Sequence, residues 1–298
     1  MFERFSRSWG LVKASYAVLR ADRELLIFPL LSTIGVILIT ITFAIPLIAS
    51  GFAEALADSD KLTNSQIIIG VVLGFLYYFV MYTIVIFANV ALIGAAMIRM
   101  DGGDPTVGDG FRIAGQHFNA ILGYAAISAT VGMILQAIRG DEDNIAGRIV
   151  ASILSMAWGL ITFLVIPVLI MENLGPIAAI KRSANLLKQT WGEQIAGSFS
   201  MGMISFLIML AVLLVVGGPI LLIVASIDSA VLAGLGIGVV VIVLALIGLF
   251  FSALNGVFQA ALYRYATAGT AGDFFDDNIL SGAFHPKKKK REEGPRFL

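Results

Sequence analysis

The sequence contains no cysteine and only two histidines, and most of its length contains no charge. The lack of cysteine excludes disulfides, thiolate metal ligands and cysteine nucleophiles. Charged residues make up 13% of the chain, against about 25% in soluble proteins. They are also segregated, because six long stretches contain no Asp, Glu, Lys or Arg: 25–53, 62–98, 118–138, 149–171, 194–227 and 229–263.

Each of these stretches is long enough to cross a membrane, since a spanning helix needs about 20 apolar residues. The alternation of apolar and polar residues that is typical of membrane barrels is absent. The first stretch follows a charged segment and is too long for a signal-peptide core, which predicts a retained span. The sequence therefore predicts an all-α, polytopic transmembrane helix bundle of about six spans.

Three segments have the 3.6-residue apolar period of amphipathic helices. They lie at 1–24, near 107–121 and at 177–191, and we expect them at the cytoplasmic membrane surface. The first has the apolar stripe Phe2, Phe5, Trp9, Val12, Tyr16 and Leu19, which suits either the bilayer interface or packing against the bundle itself. The predicted division of the chain is 1–24 (interfacial helix), 25–266 (six-helix membrane domain) and 267–298 (polar, basic cytoplasmic tail).

Some spans should be irregular. The second apolar run, Ile67–Ile98, is longer than a bilayer core requires, which predicts a tilted or projecting helix. We expect the fourth span at about Ile149–Met171. In the fifth span, Gly217-Gly218-Pro219 predicts a break or a kink.

The distribution of basic residues predicts the orientation. With six spans, 17 of the 20 Lys and Arg residues fall on the side that holds both termini, and three fall on the other side. Basic residues near span ends favour the cytoplasm. We therefore expect a multi-pass protein of the cell membrane with both termini in the cytoplasm.

The spans contain no ionisable side chain, which argues against a proton-coupled pump. Their notable polar residues are Asn89, Asn255 and Gln259, which would either hydrogen-bond between helices or line a cavity. No catalytic, phosphate-binding or metal motif is found. We expect no enzymatic activity, no cofactor and no nucleic-acid partner.

The C-terminal tail contains an unbroken basic run, Lys287, Lys288, Lys289, Lys290 and Arg291. Such a run can bind anionic lipids at the membrane surface. It would also hold the C-terminus in the cytoplasm by charge alone. The expected partners are the lipid bilayer and, through this run, anionic lipids, while protein partners are not indicated.

Three blocks of residues resemble an uncharacterised family of prokaryotic six-span membrane proteins, a domain of unknown function. The first block is Ser8-Trp9 with Arg20 to Pro29. The second holds Pro167, Glu172, Gly175-Pro176, Ala179, Arg182-Ser183 and Trp191-Gly192, and the third holds Tyr263-Arg264-Tyr265-Ala266 with Ala283-Phe284. The middle block also resembles the membrane domain of some glycerophosphodiester phosphodiesterases. The chain holds no soluble phosphodiesterase domain, so this resemblance implies no enzymatic activity.

Two functions fit these observations. The first is a non-enzymatic scaffold or lipid-organising protein, favoured by uncharged spans and interfacial helices. The alternative is a transporter or permease for a lipidic or small neutral solute, favoured by the irregular fifth span and the glycines. A polar cavity at Asn89, Asn255 and Gln259 would indicate a transporter, and a solidly packed interior would indicate the first function.

Overall fold

The computed structural model describes residues 2–52, 63–140, 144–191, 200–220, 230–270 and 275. The regular structure in these residues is helical throughout. The basic run at 287–291 and most of the tail lie outside the described residues. The protein is an all-α polytopic helix bundle, as the uncharged stretches predict.

Ten α-helices are formed by the described residues. The first is followed by a 3-10 turn, Arg23–Leu26. The helices are α1 Phe2–Ala21, α2 Ile27–Ala49, α3 Asn64–Met100, α4 Val107–Gln116, α5 Phe118–Arg139, α6 Ile145–Ile161, α7 Val165–Glu172, α8 Pro176–Trp191, α9 Ser200–Val212 and α10 Ala230–Ala268.

Five segments are long and apolar enough to cross a membrane: Arg23–Ala49, Asn64–Met100, Phe118–Arg139, Ile145–Glu172 and Gly234–Ala268. A shorter apolar helix, Phe206–Ile220, occupies part of the predicted fifth span. Helix α3 has 37 residues, which is about 55 Å at 1.5 Å per residue. It therefore exceeds the thickness of a bilayer core, as predicted, and starts and ends slightly outside the expected bounds.

The buried core lies towards one end of the bundle. In α3 the buried residues begin at Ile86 and continue to Met100, whereas the first half of the helix has none. In the same way α10 is buried mainly between Ala253 and Tyr263. We call this end, marked by Asp22, Arg99, Glu172 and Arg264, the charged end. Towards the other end, most described side chains are exposed or half-buried and apolar.

Helix α1 packs on the bundle and is part of its core. Leu11, Val18 and Leu19 are buried, and the helix contacts α9 and α10. Of the two arrangements open from sequence, packing against the protein is therefore present. The stripe was partly misplaced, because Tyr16 is 46% exposed, although its ring lies 6.1 Å from that of Phe250.

The amphipathic helices α4 and α8 are confirmed, and both lie against the spans. Helix α4 begins with a capping box, in which Thr106 and Asp109 bond each other's backbone N–H. It approaches α3 closely because Gly110 has no side chain. A Cβ at that position would lie 2.8 Å from the Ala91 carbonyl oxygen and against the ring of Phe28.

The fourth span, predicted at about Ile149–Met171, falls within the candidate span Ile145–Glu172, but its helix is interrupted. Helix α6 ends at Ile161, and α7 starts at Val165 after a short turn. Pro167 explains the break, because it has no N–H to donate to the carbonyl four residues earlier. The Leu164 N–H, which the turn releases, donates to Ser183 Oγ on α8 at 3.0 Å. Both Leu164 and Ser183 are fully buried.

The fifth span is irregular before Gly217-Gly218-Pro219 rather than broken there. A π-helical turn covers Leu213–Gly217, and the chain stays helical to Ile220. Pro219 cannot donate to the carbonyl of Val215, and the wider turn accommodates this loss without ending the helix. The sequence predicted a break or a kink at this site, and the structure has an irregular turn there within a helix that continues to Ile220.

The link between α7 and α8 has a left-handed backbone at Asn173, with φ of 48°. We expect Asn173→Ala to destabilise the fold by roughly 1 kcal/mol, because a Cβ without a polar group disfavours this conformation. Asn173→Gly should match or exceed wild-type stability. Titration with sodium dodecyl sulfate, followed by circular dichroism, measures both variants. Equal stabilities for Ala and Gly at position 173 would contradict the assignment.

Candidate functional site: a charged end above an apolar groove

A first ionic link joins α7, α8 and α10 at the charged end. Glu172 is the last residue of α7, and the Arg182 Nε on α8 lies 2.9 Å from both of its carboxylate oxygens. The Tyr263 hydroxyl of α10 donates to Glu172 Oε1 at 3.2 Å. One carboxylate therefore holds an interfacial helix and a spanning helix together.

A second link is centred on Arg99 near the end of α3. Its Nη2 donates to the Ala21 carbonyl oxygen at 2.8 Å, and its Nη1 donates to that of Gly103 at 3.1 Å. Asp104 lies 3.4 Å from Nη1, and Asp22 lies 4.0 Å from Nε. Arg99 thus fixes the end of α1 to the end of α3.

Two further contacts complete the charged end. Arg264 Nη1 of α10 lies 2.6 Å from Asp101 Oδ1, just after α3. Glu24 Oε2 accepts from the N–H of Val107 at 3.2 Å, which places a carboxylate at the N-terminus of α4, where negative charge is favoured. Together the links connect α1, α3, α4, α7, α8 and α10 at one level.

Two carboxyl groups at this end have shifted pKa values. Burial raises the pKa of Asp22, and the neighbouring Arg99 guanidinium offsets part of that shift. The hydrogen bonds from the Thr106 hydroxyl and backbone N–H lower the pKa of Asp109. Asp22 is 6% exposed and Asp109 is 26% exposed, so burial opposes ionisation mainly at Asp22.

Below the charged end, an apolar groove opens between α2, α3 and the α4–α5 elbow. Its volume is about 310 Å³. Four phenylalanine rings form a chain along it: Phe28 lies 5.5 Å from Phe111, which lies 6.0 Å from Phe87, which lies 6.3 Å from Phe118. We call it the phenylalanine groove. Its remaining lining residues are Leu31, Ser32, Thr83, Ile84 and Ala88.

A second cleft separates α2 from α3 further from the charged end. It measures about 250 Å³ and is lined mainly by apolar residues, including Phe43, Leu73 and Gly74. Its polar atoms are those of Thr40 and Tyr77, whose hydroxyls lie 3.1 Å apart. Because Thr40 also donates to the Val36 carbonyl, Tyr77 is the donor in that pair.

The polar residues singled out from sequence lie elsewhere. Asn89 is on α3, and Asn255 and Gln259 are on α10; all three are half-buried. None of them lines the phenylalanine groove or the second cleft. Their role stays a prediction. The basic run from Lys287 to Arg291 falls outside the described residues.

Sequence reasoning did not single out the charged end as a site. Glu172, Arg182 and Tyr263 appear in the blocks that carry the family resemblance, but their pairing joins residues 91 positions apart. The available signal was the presence of acidic and basic residues directly beside the uncharged stretches. In the part of the chain that the structure describes, no three His, Cys, Asp or Glu residues could together hold a metal ion.

Comparison with known protein families gives one finding. The model of a family of unknown function (DUF6159) matches residues 67–274. No curated protein matches the chain, and no solved structure matches it. The resemblance of the middle block to glycerophosphodiester phosphodiesterases therefore has no support. The first block, at residues 8–29, precedes the matched region.

We expect a double-mutant cycle to show coupling between Glu172 and Arg182. Glu172→Gln and Arg182→Gln should each destabilise the fold, and the double variant should lose less than the sum. The coupling should be about 1 kcal/mol, since both side chains are partly exposed. Denaturant titration in micelles measures it. The control is the pair of Arg112 and Asp109, which lies within α4. An equal coupling energy in that local pair would argue against a special role for the link between Glu172 and Arg182.

The raised pKa of Asp22 predicts a pH dependence of stability. An acid whose folded pKa lies above its unfolded value of 3.8 stabilises the fold most when protonated. Its contribution is lost as the pH rises from 3.8 through the folded pKa. Asp22→Asn keeps the oxygen that accepts from Glu24 N and removes the titration. The wild-type protein should therefore lose stability relative to this variant across that range, as measured by thermal unfolding in micelles; parallel curves would refute the prediction.

Proposed function

We propose that this chain, which belongs to the family of unknown function DUF6159, is a non-enzymatic membrane protein that organises lipid around a rigid helical scaffold. The family assigns no activity, so the proposal depends on the bundle itself. Its main support is the packing of the interior near the charged end.

The interior is tightly packed where a transport path would have to pass. Helices α3 and α10 cross at Gly256, where an added Cβ would lie 2.5 Å from Leu92 Cδ2. Around this crossing Leu92, Leu254 and Val257 are fully buried. Both clefts described above lie between helices at the periphery. This arrangement favours a scaffold over a passage.

The outer surface supports a lipid-organising role. Large apolar side chains are exposed along α2, α3 and α6, for example Leu38, Ile68 and Ile153 at 59, 64 and 62%. Helices α4 and α8 lie across the ends of the spans, where the ionic links hold them. A fixed set of interfacial helices beside apolar spans can order neighbouring lipids.

The charge distribution supports a cell-membrane protein with the charged end in the cytoplasm. The 17 Lys and Arg residues on the side of the termini include those of α1, α8 and the tail. The described charged end contains Arg99, Arg182 and Arg264 from this set. By the positive-inside rule this end faces the cytoplasm, where α4 and α8 meet anionic lipid. The basic run Lys287–Arg291 would add contacts to anionic headgroups from the same side.

A transporter for a lipidic or neutral solute is the second candidate, because two spans are irregular. The turn between α6 and α7 and the π-helical turn after α9 both interrupt helices inside the apolar region. Discontinuous spans are common at transporter sites. Here the released Leu164 N–H is bonded to Ser183, which favours a structural explanation.

The absence of native cysteine allows a direct test with single-cysteine variants. We expect Asn89→Cys, Asn255→Cys and Gln259→Cys to resist a membrane-impermeant maleimide in both right-side-out and inverted vesicles, because the interior excludes water. Labelling measured by gel shift reports the result. Reaction of any of the three would indicate a hydrated path and would favour the transporter.

Three further variants provide the controls. Ile37→Cys, at a position exposed to lipid, should also stay unlabelled. Gln116→Cys on α4 should react in inverted vesicles only, and Asn64→Cys at the opposite end of α3 should react in right-side-out vesicles only. The reverse pattern for these last two would overturn the proposed orientation while leaving the packing result intact.

A further inference from the structure

We propose that the phenylalanine groove is a binding site for one acyl chain of a phospholipid from the leaflet at the charged end. This inference extends the proposed lipid-organising function to a defined site. It depends on the shape of the groove, on the position of α4 and on walls that are apolar apart from Ser32 and Thr83.

The groove is built by elements that the sequence places far apart. Phe28 comes from the first turn of α2, Phe87 from α3, Phe111 from α4 and Phe118 from the start of α5. Gly110 lets α4 approach the Ala91 carbonyl and the Phe28 ring closely. As a result Phe111 reaches the level of the spans, although α4 is an interfacial helix. The edge and stacked contacts between successive rings fix this wall.

Along the membrane normal, the groove lies at the level expected for the upper part of a lipid tail. Phe28 lies within two residues of the 3-10 turn that carries Glu24, and Glu24 bonds the first residue of α4. Arg112, 66% exposed and paired with Asp109 at 2.6 Å, follows Phe111 directly. Charged groups at the headgroup level therefore stand just beyond the rings. A tail in the groove would place its own headgroup beside them.

An acyl chain suits the groove better than a protein segment does. One turn of a helix, about 10–12 Å across and 5.4 Å long, already encloses more than the groove volume of about 310 Å³. An extended peptide would leave its backbone groups unsatisfied in hydrocarbon. The hydroxyls in the walls belong to Ser32 and Thr83, and Thr83 already donates to the Phe79 carbonyl at 2.8 Å. An unbranched hydrocarbon requires no hydrogen bond and fits this lining.

The physics of the bilayer limits the strength of the site. Surrounding lipid is as apolar as the groove, so transfer into it gains nothing from the hydrophobic effect. Selective binding must therefore come from dispersion contacts with the four rings that are closer than those between neighbouring lipid chains in the fluid bilayer. The expected signature is therefore enrichment and slower exchange of one lipid chain, rather than saturation at low concentration.

The test uses the full chain in phosphatidylcholine vesicles that contain a small fraction of phosphatidylcholine with a diazirine in one acyl chain. After illumination, mass spectrometry of peptides should show severalfold more labelling at the groove segments of α2, α3 and α4 than along the lipid-exposed helix α6. Equal labelling, or protection of the groove by a second copy of the chain, would overturn the proposal.

Matched variants distinguish the groove from general lipid contact. Ser32→Phe fills the groove, and Phe118→Ala removes a wall residue that is already 43% exposed. Each of these two variants should reduce groove labelling severalfold. Ile37→Phe adds the same ring on the lipid-facing surface outside the groove and should leave labelling unchanged. Unchanged labelling in both groove variants, or an equal loss in the control, would refute the site. Maleimide labelling of the Asn255→Cys variant is a separate readout, so the wider functional proposal can fail independently of the groove.

Discussion

Hydrocarbon offers no hydrogen-bonding partner to a backbone, and the remaining features of this molecule follow from that constraint. Every peptide N–H and C=O inside the bilayer must be satisfied within the protein. Long helices meet the requirement directly, which is why uncharged stretches become α2, α3, α5 and α10. Prolines that remove a donor interrupt this pattern, and two of them, Pro167 and Pro219, have different local solutions.

The two solutions differ because their surroundings differ. At Pro167 the helix breaks, and a residue of another helix, Ser183, accepts the released Leu164 N–H inside the core. At Pro219 no break occurs, and a π-helical turn takes up the mismatch within the span. A break is tolerated in the first case because α8 lies against it. Through this contact the amphipathic helix α8 also takes part in the hydrogen bonding of the fourth span.

Much of the architecture was predictable because it follows from local composition. The uncharged run at 118–138 became α5, Phe118–Arg139, almost residue for residue, and the stripe at 177–191 became α8. Pro167 indicates an irregular backbone in this span, but the full break after Ile161 was not predictable, since the Leu164 N–H that it releases is bonded by a serine 19 positions away. The link from Glu172 to Tyr263 and the ring chain of the groove likewise join distant elements. Composition predicts which segments enter the membrane, whereas their partners depend on tertiary packing.

The uneven depth of the core has a consequence for the surrounding membrane. Near the charged end, α3, α7 and α10 bury one another, so the bundle is compact there. Towards the other end, α2 and the first half of α3 present apolar side chains to their surroundings on most sides. Among the described residues, the apolar perimeter of the bundle is therefore wider away from the charged end than near it. A bundle of this shape would take up more area in one leaflet than in the other.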